Sequence, residues 1–216
     1  MMDKNLKSIR KLHIQKTMEN LEKNNMTAIY ADSKEQVIST IAGLLKDGDT
    51  VSVGGSMTLF ECGIIDFLRS GRYHFLDRYA EGLSGEEIAD IYRRSFTADH
   101  YFTSTNAITL NGELYNVDGN GNRVAAMIYG PKSVIVVAGI NKLVRNIDEA
   151  VERVKCIAAP ANAVRLQSNT PCARTGYCTQ CRSEDRLCSS YVVIGPQKSF
   201  NKGRIKVLLV GENLGY

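Results

Sequence analysis

Four cysteines within one short stretch are the residues of this sequence best suited to chemistry. Cys172, Cys178, Cys181 and Cys188 lie in segment 170–191 with the spacing C-x5-C-x2-C-x6-C. Two thiolates separated by two residues can reach one ion from a single tight turn, and two more can complete its shell. The spacing therefore predicts a metal or cluster site, with unpaired thiols or two disulfides as the alternatives.

The spacing also bears on which metal is bound. A zinc ribbon uses two C-x2-C pairs, whereas this segment contains one. We therefore expect a [4Fe-4S] cluster, with one zinc ion as the alternative. The other two cysteines, Cys62 and Cys156, sit beside apolar residues, and we expect both to be buried, inert thiols.

Composition indicates an ordinary globular chain rather than a nucleic-acid or membrane protein. The 216 residues are 44% hydrophobic and 23% charged, with a formal net charge of +4 spread along the sequence. The charged N-terminal stretch lacks the apolar region of a signal peptide, and no apolar run approaches the roughly 20 residues of a membrane span. We expect a cytoplasmic protein, where cysteines more often serve as ligands than as disulfides.

The predicted elements that must position these residues alternate between strand and helix. Strands Thr27–Ala31 and Thr50–Val53 flank a helix that follows Asp32 and Ser33, which is the length of a parallel crossover unit. The apolar run 133–138 is typical of a central parallel strand that is covered on both faces. The sequence predicts an α/β fold, with a mostly parallel sheet and helices on both faces.

The remaining predicted elements complete a single domain, residues 1–216. The cysteine segment is an insertion between the last helix and the last two strands, which we expect to close the sheet. The predicted elements are helices 3–24, 57–63, 84–95 (opened by a capping box), 123–129, 148–157 and one starting at Pro160, strands 73–76, 99–103, 191–194 and 205–210, and a hairpin pairing 108–110 with 113–117.

Two polar, glycine-containing loops are candidates for binding an anion. Gly54, Gly55 and Ser56 join a strand to a helix, where backbone amides and the helix start favour negative charge. The alternative is a tight turn in which Ser56 caps the helix. The second loop is rich in short polar residues, whose alternative role is turn formation; they are Asn106, Asn116, Asp118, Asn120 and Asn122.

One lysine follows the central strand at a position where ligands often bind. Lys142 lies just past the carboxyl end of strand 133–138, and open α/β sheets bind ligands at that edge. We expect Lys142 to contribute positive charge to a site there, with a solvated surface lysine as the alternative.

Several short motifs lie along nearly the whole chain as a recognisable set. They are Gly54-Gly-Ser56 followed by a helix, Thr105-Asn-Ala-Ile-Thr109, Asn116-Val-Asp-Gly-Asn-Gly-Asn-Arg-Val-Ala125, Gly130-Pro131, Val136-Val-Ala-Gly-Ile-Asn-Lys142 and Val210-Gly-Glu-Asn-Leu-Gly-Tyr216. Together these motifs resemble the LUD-domain family of lactate-utilisation proteins. The resemblance implies a fold like that of the ribose-5-phosphate isomerase, glucosamine-phosphate deaminase and coenzyme A transferase superfamily.

The resemblance also implies a single pocket lined by both polar loops. Its candidate residues are Gly54, Gly55, Ser56, Thr58, Asn106, Asp118, Asn120, Asn122 and Lys142. Family members are associated with bacterial L-lactate oxidation in complexes that contain iron–sulfur proteins. This chain differs from the smallest members by carrying four cysteines, and from the larger iron–sulfur member by lacking its C-x2-C-x2-C-x3-C-P runs.

Three functional hypotheses follow. In the first, an enzyme or enzyme subunit binds a hydroxy acid, sugar phosphate or acyl thioester, with Asp118 or Glu61 as the acid/base and Lys142 as the charge partner. The second is a redox module whose cluster is the active part. The third is a binding or regulatory protein held together by zinc. Candidate partners are an anionic metabolite, iron–sulfur or other redox proteins, and a second copy of the chain.

Overall fold

Parallel strands form the main sheet of this computed structural model, which describes residues 3–216. Six strands lie in the order β1-β10-β7-β4-β2-β3, and every neighbouring pair is parallel. The α/β architecture predicted from the sequence is therefore confirmed. The strands of this sheet are β1 (Thr27–Ala31), β2 (Thr50–Val53), β3 (His74–Leu76), β4 (His100–Thr103), β7 (Ser133–Gly139) and β10 (Ile205–Val210).

Strand β7 forms the centre of the hydrophobic core, because all seven of its residues are buried. Ile135 and Val137 face one side of the sheet, and Val134 and Val136 face the other. Such two-sided burial removes each aliphatic side chain from water, which contributes about 2 kcal/mol per residue. The apolar run therefore predicts the observed strand correctly.

Helices cover both faces of the main sheet. Helices α2, α3 and α4 pack on the first face, and α1 and α6 pack on the second. Helix α1 starts where the Asp3 carboxylate accepts hydrogen bonds from the amides of Asn5 and Leu6. The helices are α1 (Lys4–Lys23), α2 (Val37–Ala42), α3 (Met57–Glu61), α4 (Ile64–Leu68), α5 (Gly85–Arg94), α6 (Asn122–Ile128), α7 (Ile147–Arg153), α8 (Ala159–Arg165) and α9 (Pro171–Thr175).

A second, four-stranded sheet lies beside the first, in the order β8-β5-β6-β9. Its hairpin pairs β5 (Ala107–Thr109) with β6 (Leu114–Asp118), as the sequence predicts. Strand β8 (Leu143–Val144) pairs with β5, and β9 (Ser190–Ile194) pairs with β6 over five residues. The prediction that 191–194 helps to close the main sheet is therefore wrong, because this strand lies along the hairpin instead.

Several element boundaries also differ from the sequence prediction. The predicted helix 57–63 ends early, and Gly63 adopts a left-handed φ of 68° between α3 and α4. The predicted helix 148–157 continues as a π turn, Val154–Ala158, which leads directly into α8. Ser84 forms the predicted capping box with Glu87. Within residues 3–216, no helix is both long and apolar enough to cross a membrane.

Candidate functional site

A cavity of about 340 Å³, here called the central cavity, lies beside the carboxyl end of the main sheet. The loops after β2, β4 and β6 and the turn after β7 all reach it, which is the usual ligand position in an open α/β sheet. It brings together seven of the sequence-predicted residues, which are Gly55, Ser56, Asn106, Asp118, Asn120, Asn122 and Lys142.

Four other predicted residues lie outside its lining. Asn116 is buried, and its side-chain oxygen accepts a hydrogen bond of 2.7 Å from Arg123. Gly54 is buried behind the loop, where an added Cβ would lie 2.8 Å from the Tyr101 hydroxyl, so that only glycine fits without displacement. Thr58 is buried beneath the cavity. Glu61 is exposed, and its carboxylate accepts a hydrogen bond of 2.8 Å from the Gly215 amide.

Ser56 lies in the cavity lining but does not cap a helix through its side chain. It precedes α3 in an extended conformation, and its hydroxyl makes no capping hydrogen bond. The capping hydrogen bond expected from the alternative interpretation, a tight turn in which Ser56 caps the helix, is therefore not formed. The hydroxyl instead belongs to the polar wall of the central cavity.

Lys142 is the most unusual ionisable residue of the cavity. The residue is only 2% exposed, and its Nζ donates hydrogen bonds to Thr58 Oγ1 at 3.0 Å and Ser104 Oγ at 2.9 Å. Burial is the main cause that lowers the pKa of this amine to about 7, and the guanidiniums of Arg153 and Arg123 act in the same direction. Lys142 is therefore not the solvated surface lysine of the alternative interpretation.

Asp118 and Arg123 form a closed pair at one wall. One carboxylate oxygen of Asp118 accepts from the amides of Asn120 and Gly121, and the other lies 3.2 Å from Arg123 Nε. Arg123 also donates to the side-chain oxygens of Asn116 and Asn106. Through these contacts, the Asp118 carboxylate holds the loop and the Arg123 guanidinium in place.

Arg78 is a cavity residue that the sequence analysis missed. Its guanidinium lies over two aromatic rings, 5.2 Å from the Tyr79 centroid and 4.7 Å from the Tyr92 centroid. Arg78 Nε is buried without a hydrogen-bond partner, and in residues 3–216 no carboxylate pairs with this side chain. A fixed cation with an unused donor is suited to binding an anion.

The charge of the cavity is strongly asymmetric. Three guanidiniums, those of Arg78, Arg123 and Arg165, line it together with the buried amine of Lys142, against the single carboxylate of Asp118. Serine, threonine and asparagine side chains fill much of the remaining polar wall. This arrangement favours a small, negatively charged molecule that also accepts or donates neutral hydrogen bonds.

A second cavity, of about 370 Å³, is lined by all four cysteines of the predicted site, and is here called the cysteine cavity. Each of these thiols is partly buried and unpaired. Burial and the neighbouring thiols raise the pKa of Cys188 to about 11.

Hydrogen bonds order the loop that carries these cysteines. Arg186 donates to the backbone carbonyls of Cys181 and Cys188, at 2.8 and 2.6 Å, and to the Tyr191 hydroxyl. The Gln180 amide donates to Cys178 Sγ at 3.4 Å. Amide hydrogen bonds to sulfur are one means by which proteins tune iron–sulfur clusters.

The thiols surround a cavity rather than a single point. Within residues 3–216, no three Cys, His, Asp or Glu side chains are close enough together to hold one metal ion. The two cysteines outside the segment behave differently from each other. Cys62 is buried, as predicted, whereas Cys156 is exposed, so the prediction of a buried Cys156 is wrong. Cys156 lies within the π turn, whose altered repeat the sequence did not reveal.

The two cavities share a wall. Val154, Ala159, Leu187 and Cys188 line both. The cysteine segment is also joined to the Asp118 loop, because the Ser189 amide donates to the Asp118 carbonyl at 3.0 Å and β9 pairs with β6 up to Asp118. The segments that line the two cavities are therefore directly joined.

Comparison with known proteins gives the class of this chain. The LUD domain family model matches residues 14–210, and the chain therefore belongs to the LUD-domain family. The crystal structure of a DUF162 family protein from Deinococcus radiodurans is similar in fold, with a TM-score of 0.57 and 16% identity, over 93% of this chain and 98% of that one. No curated protein matches the sequence.

More distant structural similarity extends to eIF2B subunits from Chaetomium thermophilum. The delta subunit has a TM-score of 0.36 and 23% identity, over 55% of this chain and 50% of that one. The beta subunit has a TM-score of 0.36 and 16% identity, over 53% of this chain and 44% of that one.

Proposed function

We propose that this protein binds a small anionic metabolite in the central cavity and carries a four-cysteine iron–sulfur site in the cysteine cavity, serving lactate-type oxidation or electron transfer. The observation that carries the proposal is a cavity with four basic residues and one carboxylate that shares a wall with four cysteines. The ligand classes are a hydroxy acid, a sugar phosphate or an acyl thioester.

Arg78 is the anchor for the anion in this proposal. Its position over two aromatic rings restricts its movement, and its charge is not neutralised by a carboxylate. Gly55 lies beside this guanidinium, since a Cβ added at Gly55 would be 3.6 Å from Arg78 Nη1. A bidentate guanidinium contact suits both carboxylate and phosphate groups.

The two carboxylates predicted as acid/base groups, Asp118 and Glu61, are better suited to structural roles. Both oxygens of Asp118 are engaged by amides and Arg123, which favours a role in fixing the polar loop over proton transfer. The contact of Glu61 with the Gly215 amide favours a role in holding the segment after β10. Of the three residues predicted as catalytic, Lys142 is the one that remains for a chemical role in the central cavity.

The cysteine cavity supports an iron–sulfur cluster by its donor set and its volume of about 370 Å³. Four thiolates are the ligands of a [4Fe-4S] cluster, and a cluster of several atoms needs more room than one ion. Around a single zinc ion, thiolate sulfurs lie only about 4 Å apart. A bound cluster would supply one-electron transfer. Cys188 would be the ligand nearest the metabolite, because it lines both cavities.

Metal analysis of anaerobically purified protein tests the cluster. We expect a brown protein with about four irons and four sulfides per chain. The colour and iron should be lost in Cys178→Ser and kept in Cys156→Ser, whose exposed thiol lies outside both cavities. A brown protein that keeps its iron in Cys178→Ser would contradict the assigned ligands.

A zinc-stapled binding or regulatory protein is the second candidate. Residues 176–189 contain no helix or strand, so a metal would have to hold much of this segment in place. Colourless protein with about one zinc per chain, unchanged by reductant, would support this candidate over the redox one.

Calorimetry tests the central cavity. L-lactate, ribose 5-phosphate and acetyl coenzyme A represent the three ligand classes. Arg78→Gln should weaken binding of the preferred class by about tenfold or more, since it removes a charged hydrogen-bond donor. The matched control is Arg94→Gln, an exposed arginine on α5 outside the cavity. Equal affinity in wild type and Arg78→Gln would refute the anchor.

A further inference from the structure

Lys142 has surroundings that differ from those of an ordinary charge partner. Buried ammonium groups are normally paired with a carboxylate. Within residues 3–216, Lys142 makes no such ion pair, and its two hydrogen-bond partners are the neutral hydroxyls of Thr58 and Ser104. Two cationic side chains, Arg153 and Arg123, also lie near enough to disfavour its charge, against the opposite influence of Glu61 and Cys62.

These contacts match the hydrogen-bonding capacity of a neutral amine. An ammonium group has three donors, whereas a neutral amine has two donors and one lone pair. The Thr58 and Ser104 hydroxyls accept two hydrogen bonds, and Thr58 Oγ1 lies 3.4 Å from the Leu214 carbonyl, to which it donates. With both N–H groups used in this way, the lone pair remains available on an amine that lines the central cavity.

The backbone that packs against Lys142 leaves no room for a side chain at residue 215. Gly215 adopts a left-handed φ of 55°, and an added Cβ there would lie 2.6 Å from Thr58 Oγ1 and 3.5 Å from Lys142 Nζ. A glycine is therefore needed for this approach. It leaves the amine and its two hydroxyl partners packed closely, without a side chain from residue 215.

We propose that Lys142 is a nucleophile that forms an imine with the carbonyl carbon of a small anionic substrate, such as a 2-oxo acid. This inference rests on the proposed function, because the anion must first be held in the central cavity by Arg78. Buried lysines with a depressed pKa are well suited to Schiff-base chemistry. Arg78 and Lys142 both line the central cavity, which therefore offers a cation suited to the carboxylate and an amine suited to the carbonyl.

The reaction balances without an added oxidant or reductant. The Nζ lone pair attacks the carbonyl carbon, the C=O π electrons move to oxygen, and one N–H proton is transferred to that oxygen. The resulting carbinolamine loses its hydroxyl and the second N–H proton as water, leaving a C=N bond. Ser104 Oγ, 2.9 Å from Nζ, is within reach to relay these protons.

Reductive trapping on the intact, anaerobically purified protein tests the inference. The protein is incubated with pyruvate or glyoxylate and sodium cyanoborohydride, which reduces the imine to a stable secondary amine. Peptide mass spectrometry should find the adduct on Lys142. Excess L-lactate, which has no ketone or aldehyde carbonyl to form an imine, should reduce its yield. Lys142→Arg should lose the adduct.

A matched control separates nucleophilicity from simple burial. Lys206 is a partly buried lysine whose pKa is also lowered by burial, but it contacts Ser133 and Gly203 and lies outside both cavities. Lys206→Arg should keep the adduct on Lys142. Should Lys142→Arg fail to fold, the map of labelled lysines in the wild-type protein decides the question alone.

The outcomes separate this inference from the function on which it rests. Anion binding by calorimetry without an adduct on Lys142, or with labelling spread over surface lysines, would overturn the nucleophile and leave the anion site standing. Absence of both binding and labelling would overturn both. Labelling confined to Lys142 and suppressed by L-lactate would support both.

Discussion

The buried amine of Lys142 should make stability depend on pH in a way that can be measured directly. Its pKa falls from an ordinary value of 10.5 to about 7 in the folded chain, mainly because of burial. Between these values the unfolded state binds more protons than the folded state, so the free energy of unfolding should rise with pH. Lys142→Met removes the titrating group while keeping an apolar side chain of similar length.

The magnitude follows from the two pKa values. At full effect, each pH unit changes the free energy of unfolding by about 1.4 kcal/mol. The change in the free energy of unfolding for each pH unit is smaller at pH 7, where the folded amine is half protonated. It also becomes smaller as pH 10 is approached. From pH 7 to pH 9, the wild type should gain about 2 kcal/mol relative to Lys142→Met.

Urea unfolding at pH 7, 8 and 9 measures this difference on preparations of equal metal content. The lost hydrogen bonds to Thr58 and Ser104 cost the variant the same at each pH, so only the titration changes the difference. Lys132→Met is the control, because Lys132 is an exposed lysine whose pKa is raised by its contact with Asp99. A difference for Lys142→Met that stays constant within about 0.5 kcal/mol would refute the depressed pKa.

Three further changes test other parts of the fold by the same unfolding assay or by iron analysis. Gly54→Ala should lower stability by about 1 to 3 kcal/mol, because its Cβ would lie within 3.0 Å of three side-chain atoms; an unchanged midpoint would contradict the packing. Arg204→Met should cost about 2 kcal/mol, since the guanidinium donates to carbonyls at the end of α6. Arg186→Met should lower iron content relative to Arg182→Met, as Arg186 holds the Cys181 and Cys188 carbonyls.

Local signals explain which parts of the fold could be predicted. The apolar run of β7, the Ser84 capping box and the Asn111-Gly112 hairpin are each specified by neighbouring residues, and all three are observed. The placement of β9 is not specified locally, because a short apolar strand such as 191–194 can pair with either sheet. The cysteine segment precedes β9 in the chain and places it at the edge of β6, which becomes its partner strand.

The residues of the central cavity also divide into those that could be predicted from the sequence and those that could not. The glycine and asparagine loops could be found because short polar residues next to glycines are unusual in sequence. Arg78 could not, because its fixed position depends on Tyr79 and on Tyr92 from a separate helix. The low pKa of Lys142 likewise depends on burial by several distant elements, so the sequence predicted its position but not its ionisation.

The second sheet explains why two sites of different chemistry adjoin. Strand β6 ends at Asp118 and so carries the polar loop of the central cavity, while β9 leaves the cysteine segment and pairs with β6 over five residues. Any movement of the cysteines that shifts β9 would therefore shift the Asp118 loop, which holds Arg123 and lines the central cavity. The shared wall of Leu187 and Cys188 adds a direct contact to this backbone connection. Through these two connections, a change in the cysteine segment would reach the lining of the central cavity without the movement of a domain.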